Sequence, residues 1–221
     1  MDMTLTSPSP KRQRRPQAER SAGTRAKLIE ATVSCLHRFG YSGTTVSLVA
    51  SEAGVSRGAM THQFPTKVDM MLALVRAEFD EDVAFYEASF AERDLREALA
   101  DLPVTLWGRL NRPAAIAVTE IMLASRSDQE LASRLRTMQS EIDQMARAGI
   151  AARMLRAGVA PRPDESAIHR LIVAAVRGLS IEALFMSGVS ELEASVAVLR
   201  TMLGMLHPAL AAPPSEGCTD V

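Results

Sequence analysis

The sequence predicts an all-α fold of about nine helices without strands. Three observations point there. Aromatic residues make up only 4% of the 221 positions, while Ala, Leu, Val and Met are plentiful among the 47% that are hydrophobic, a balance that favours helix over sandwich or barrel. Apolar residues recur at three- and four-residue spacing along most of the chain. Gly, Pro, Ser and Thr punctuate those stretches as helix stops and caps. The length suits one ordinary domain, or a small one joined to a medium one, and 12 glycines with 11 prolines are too few for a collagen-like or low-complexity chain.

Residues 1–20 are expected to form a disordered basic tail, rich in Pro, Ser and Thr early on and carrying the run Lys11-Arg12-Gln13-Arg14-Arg15. A first helix follows from about Glu19 to Phe39, with Leu28, Ala31, Thr32, Cys35, Leu36 and Phe39 at helical spacing, and Gly40 ends it. Gly43-Thr44-Thr45 opens a short second helix whose stripe is Val46, Val49, Ala50 and Ala53, a threonine hydroxyl capping its free N–H groups. Gly54 makes a tight turn, and Ser56 caps a third short helix through about Phe64. Pro65 breaks the pattern, and Thr66 caps a long fourth helix from Lys67 to about Phe90.

Further helices are expected at about 94–109, bent near Pro103, then at 113–125 and at 128–157, the last capped by Ser127 and stopped by Gly158. The final two span 164–187 and 190–206. Ser190 with Glu193 reads as a capping box for the last, Pro208 follows its end, and 208–221 read as a disordered tail.

Several function classes are disfavoured. Cys35 and Cys218 lie far apart and match neither a disulfide framework nor a metal or redox spacing. The most apolar stretch, Leu171 to Met186, is broken by Arg177 and Glu182, and the first twenty residues lack an apolar core, so no membrane span or signal peptide is expected and the protein reads as cytoplasmic. His37, His62, His169 and His207 share no helical face at ligand spacing, and no nucleophile–base pair or glycine-rich phosphate loop is evident. No enzyme activity, metal or cofactor is therefore expected.

The formal net charge of −1 conceals an asymmetry. Residues 1–67 hold ten basic and four acidic side chains, a net of +6, whereas the remainder holds 15 basic against 22 acidic, a net of −7. A basic first third on an acidic body suggests a polyanion-binding module carried by a part with another task.

Two short helices joined by a Gly-containing turn behind a longer helix make a helix-turn-helix. Val46, Val49 and Ala50 anchor its second helix, and Gly54 supplies the positive φ of the turn. The third helix presents Ser56, Arg57, Gly58, Ala59, Thr61, His62 and Gln63. Gly58 and Ala59 allow close backbone approach, and the longer side chains can reach base edges or phosphates. Thr44, Thr45, Ser47 and Lys67 flank the unit where helix N-termini can hold phosphate oxygens. On this reading, Gln63→Ala relaxes base preference, and reversing the charge of Lys67 weakens binding to every sequence.

Gly40-Tyr41-Ser42-Gly43-Thr44-Thr45, Val49-Ala50-Ser51-Glu52-Ala53-Gly54-Val55-Ser56-Arg57-Gly58-Ala59 and Phe64-Pro65-Thr66-Lys67 stand in one uninterrupted register. This stretch resembles the DNA-binding domain of TetR/AcrR-type repressors, over about residues 22–82. Thr61 stands where that family usually has Tyr, and Gln63 where it commonly has His.

The resemblance implies a dimeric DNA-binding protein whose body, about 83–207, holds a small-molecule effector and releases a palindromic double-stranded operator when that effector binds. It implies a homodimer through the last two helices, about 164–187 and 190–206, whose small residues Ala174, Ala175, Gly178, Ala194 and Ala197 permit close approach. Effector candidates are Trp107, Met122, Met138, Met145 and Arg177, Met154 being a further methionine on the same helices. Each methionine is equally explained as core, and Trp107 as a packing anchor. Arg177, inside an apolar run, needs a partner: an acidic side chain across the helix bundle or the dimer interface is the first reading, a ligand carboxylate or phosphate the second. On the second reading, the Met-rich lining with Arg177 implies a largely apolar effector with an anionic group. The alternative from another class is a helical carrier or enzyme whose helix-turn-helix is vestigial.

Overall fold

The structure, a computed structural model, describes residues 17–186 and 188–211. The expected basic run at 11–15, Cys218 and most of the C-terminal tail lie outside the described residues. Within them the chain forms eleven helices: α1 Gln17–Gly43, α2 Val46–Glu52, α3 Arg57–Gln63, α4 Lys67–Glu92, α5 Leu95–Ala100, α6 Leu102–Leu110, α7 Pro113–Ala124, α8 Gln129–Arg156, α9 Glu165–Glu182, α10 Ser190–Leu206 and α11 Pro208–Ala211. No strand occurs among the described residues.

Two differences raise the count from nine. The single bent helix expected at 94–109 is two helices. The Asp94 carboxylate caps α5 by accepting the N–H groups of Arg96 and Glu97, and the chain restarts at α6 with Pro103 in its first turn, where the missing N–H costs nothing. Beyond the last expected helix, Pro208 begins the short α11, whose Leu210 is buried.

Other caps differ in detail. Asp128, not Ser127, caps α8, its carboxylate accepting Leu131 N–H at 3.0 Å while the Ser127 hydroxyl donates back to the Ala124 carbonyl. The capping box expected at Ser190 is absent: Ser190 is already the first helical residue, behind a Val189 that has no capping side chain. Helix α9 stops at Glu182 and the chain then turns, short of the expected residue 187. Thr45, Ser56 and Thr66 cap α2, α3 and α4 as expected, and Asp69 completes a capping box with Thr66.

Helix α1 breaks at Gly40, where φ is +67° and an added Cβ would stand 3.1 Å from Glu120 Oε1. Only glycine meets both demands there.

Apolar side chains gather in two cores. Leu28, Cys35, Leu36, Val49, Met60, Phe64 and the α4 run Met70–Val75 form the first, which continues into Ile121 of α7 and Leu131 and Leu135 of α8. The second joins α5, α6, α9, α10 and α11 with the far end of α8 through Leu99, Leu106, Met154, Ile168, Ile172, Val176 and Leu203. The 26-residue α4 begins inside the first core and reaches the edge of the second, where Tyr86 and Phe90 pack. The N-terminal unit is therefore built onto α7 and the start of α8, not hung from a linker.

Candidate nucleic-acid interface and ligand cleft

The third helix is fastened from behind and bare in front. Met60 and Phe64 are buried, the Phe64 ring lying under the Arg25 guanidinium at 4.9 Å, while Ser56, Arg57, Gly58, Thr61 and His62 are exposed and Ala59 is half-buried. Gly54, at φ +63° with open space around it, makes the turn that sets α3 across α2. Arg57 donates to the exposed Ser47 hydroxyl at 3.1 Å, holding its guanidinium on the outer face of α2. Thr45 is exposed and its hydroxyl accepts Leu48 N–H. This face carries small residues, one cation and exposed hydroxyls, the surface a helix needs to enter a major groove.

Three expected contacts sit differently. Thr44 is fully buried, and its hydroxyl and N–H both donate to the Gly40 carbonyl, so it closes the end of α1 and offers nothing to a phosphate. Gln63 is half-buried and donates from Nε2 to Ser21 Oγ at 2.7 Å, which bolts α3 to α1. Lys67 is half-buried. Its ammonium donates to the Tyr41 carbonyl and lies 4.0 Å from the centre of the Tyr41 ring. Burial presses the Lys67 pKa below its ordinary value, against the pull of Asp128 and Glu120.

Tyr41 is the residue that sequence reasoning quoted without giving it a role. Its N–H donates to Glu120 of α7, and its hydroxyl donates to Asp128 at the head of α8. Arg134 of α8 adds a second tie, to Asp69 in the first turn of α4, at 2.7 Å. Contacts 79 and 87 residues apart leave no local signal in a sequence.

Farther along α4, Glu78, Glu81 and Asp82 face Arg109 and Arg112. Arg112 pairs with the buried Glu78 and with Glu81, and Arg109, also buried, pairs with Asp82 and stacks on Phe85 at 4.7 Å. Burial pushes the Glu78 carboxyl up, an effect that Arg112 opposes.

A cleft of about 220 Å³ opens between α7, α8 and α9. Met122, Gln139, Asp143, Arg147, His169, Val173 and Arg177 line it, with Ser166, Arg170 and Ala174 at its rim. Of the five effector candidates, Met122 and Arg177 are here and three are not. Met138 packs with Ile142 against the first core, one residue round α8 from Gln139; Met145 is 42% exposed; and Trp107 packs with the second core, the anchor that was its other explanation. Met154, also weighed, is buried in the second core. His169 is half-buried and faces the cleft, and burial holds its pKa below the ordinary value.

An all-helical chain with a capped, exposed third helix on a basic N-terminal unit is a helix-turn-helix DNA-binding protein. The pattern that defines "Bacterial regulatory proteins, tetR family" matches residues 28–74. The chain is 32% identical over 184 residues to the transcriptional regulator CymR of Pseudomonas putida, covering 80% of this chain and 86% of that one. It is 36% identical over 78 residues to the transcriptional repressor AcnR of Corynebacterium diphtheriae, covering 35% and 39%. Its fold matches that of SmeT in complex with triclosan at a TM-score of 0.61 and 19% identity, over 87% of this chain and 96% of that one. The chain belongs to the TetR family of transcriptional regulators.

Proposed function

We propose that the protein is a cytoplasmic repressor that holds a palindromic operator as a homodimer and leaves it when a small effector binds the helical body. The observation that carries this reading is the α3 face, where Ser56, Arg57, Gly58, Thr61 and His62 stand exposed over buried Met60 and Phe64. Such a face makes poor core and a good groove reader. We assign DNA reading to 22–82 and effector binding with dimerisation to 83–207.

The dimer face is an apolar stripe of small residues. Ala167, Leu171, Ala174 and Gly178 of α9 are exposed at helical spacing, beside Ala194, Ala197, Val198, Met202 and Met205 of α10. Leu171 is 69% and Met205 74% exposed in the single chain, and two-fold pairing of these helices would cover both. The effector's place is the cleft bearing Met122 and Arg177, whose α8 wall is Gln139, Asp143 and Arg147; the same helix is capped at its start by Asp128, beside Tyr41. A ligand that moves this wall shifts the population of head spacings. The repressor name of AcnR and the bound triclosan of SmeT are consistent with both halves of the reading.

The test is a fluorescence-anisotropy titration with duplex DNA from upstream of the protein's own gene and from neighbouring promoters, against a scrambled duplex, at two salt concentrations. Sequence-selective binding that weakens with salt is expected. Equal binding to every duplex defeats the reading and leaves the head vestigial.

A further inference from the structure

The charges around the cleft between α7, α8 and α9 are out of balance. Three arginines, Arg147, Arg170 and Arg177, border it, facing one carboxylate, Asp143. That carboxylate accepts a hydrogen bond from the Gln139 amide at 2.9 Å and makes no ion pair with any of the three. Among the described residues none of these arginines has a carboxylate within ion-pair distance, and the buried Nε of Arg177 has no hydrogen-bond partner.

Elsewhere in the body Arg93, Arg109, Arg112, Arg134 and Arg200 pair with Asp or Glu. Arg96 donates to the Ala157 carbonyl, Arg153 lies over the Phe90 ring, and Arg126, Arg136 and Arg156 are exposed to solvent, so Arg177 differs from them in combining a buried donor that nothing accepts with the lack of an ion pair. A guanidinium half-buried beside Met122 and Val173, its nearby carboxylate Asp143 outside ion-pair distance and tied to Gln139, is unfavourable unless something else supplies a paired anion. The vacant donor edge of Arg177, a planar fork, fits a planar acceptor with two oxygens. Met122, Val173 and Ala174 bring apolar surface to the same space. A cavity of about 150 Å³ is enough to take up benzene, so 220 Å³ admits that bulk with an ionised group attached.

We propose that the effector is a small organic carboxylate, its charged end held by Arg177 with Arg147 and its apolar end against Met122, Val173 and Ala174. This rests on the ligand-responsive reading above and deepens it: charge, more than apolar bulk, selects the ligand. His169 adds a neutral donor or acceptor at the same wall, and Asp143, held by Gln139, repels a ligand that enters with its carboxylate the wrong way round.

The experiment uses the full-length protein without DNA. Calorimetric titration and thermal shift are run with phenylacetate and hexanoate, with the matched neutral phenylacetamide and hexanamide, and with inorganic phosphate. At least one carboxylate is expected to bind about tenfold to a hundredfold more tightly than its amide, the contribution of a charge-assisted hydrogen bond. Arg177→Gln is expected to abolish that preference, while Arg136→Gln, on an exposed part of α8, leaves it intact.

Amides that bind as well as carboxylates, or no shift from either carboxylate at millimolar concentration, overturn the proposal. So does phosphate matching the organic acids, which would make this a site for a free inorganic anion. Sedimentation of Arg177→Gln closes the remaining route: a variant that loses dimerisation without losing carboxylate preference assigns Arg177 to an ion pair with a second copy and also overturns it. A second arm adds the same ligands to the operator complex: carboxylate binding that leaves the complex untouched upholds the anion site and defeats the ligand-responsive reading, whereas release by a neutral ligand alone does the reverse.

Discussion

The Tyr41 hydroxyl lies 2.7 Å from Asp128 Oδ2, while Oδ1 of the same carboxylate accepts Leu131 N–H at 3.0 Å. One side chain thus caps α8 and holds the end of α1. The joint is reinforced around Tyr41 by Glu120 on its N–H and by Lys67 on its carbonyl and ring. This hydrogen bond and the shared core are contacts through which a movement of α8 would reach the reading head, if the proposed effector response holds.

Tyr41→Phe removes that bond and little else, since the ring and backbone contacts remain. The expected stability loss is about 1 kcal/mol, or roughly 2–4 °C in Tm for a chain of this size. DNA affinity without effector should change little, whereas the effector's ability to release DNA should weaken several-fold. Calorimetry and an effector titration of the DNA complex measure the two separately, and unchanged release in the variant would discard the joint as a coupling element.

The same carboxylate sets an acid limit. Leu131 N–H and then the Tyr41 hydroxyl hold Asp128 below the usual carboxylate range, and Arg134 does the same for Asp69. A depressed folded-state pKa contributes stability that is present above the unfolded value, about 3.9, and is lost as pH falls through the folded value. Asp128→Asn should therefore melt below the parent at pH 7 and converge on it below about pH 4. A constant gap across that window in thermal melts would contradict the assignment.

Contacts at the tip of α3 separate a positioning residue from a reading one. Gln63 donates to Ser21, so Gln63→Ala should lower Tm and weaken specific and scrambled DNA alike, revising the expectation drawn from sequence. His62 is exposed on the groove face, and His62→Ala should relax base preference, costing about 1–3 kcal/mol on the specific duplex and much less on the scrambled one. Competition titrations with both duplexes decide between them.

Arg112 supplies the nearest counter-charge to buried Glu78. Arg112→Met strands that carboxylate and should cost about 3 kcal/mol, whereas adding Glu78→Met should recover most of the loss, because a well-packed apolar pair can replace a buried ion pair. Denaturant melts of the two variants give the comparison. A double variant no better than the single one would show that Glu78 is not stranded in Arg112→Met, its charge being met instead by Arg109.

At Gly178 an added Cβ meets no heavy atom within 4 Å. Gly178→Glu should leave the single chain's helical content unchanged yet place like charges at the centre of the proposed two-fold contact. Sedimentation is expected to show a monomer that has lost operator binding. A stable Gly178→Glu dimer at micromolar concentration would move the interface elsewhere.

Sequence by itself determined the all-helical class, the caps at Thr45, Ser56 and Thr66, the turn at Gly54 and the break at Gly40. Each depends on side chains within a few residues of one another, where hydrogen-bonding reach and permitted φ leave few choices. The exposed face of α3 was legible for the same reason, as a short run of small and polar residues over Met60 and Phe64. Only the tertiary structure decided which of them are free. Thr44 is buried by the packing of α1, Gln63 is bound by Ser21 forty-two residues away, and Lys67 is folded onto Tyr41. The cleft lay further out of reach, because Met122, Asp143 and Arg177 meet only when three helices pack. Periodicity tells that a helix has an apolar face but not which neighbour covers it, and the rotation of α8 set Gln139 and Asp143 in the cleft and Met138 in the core.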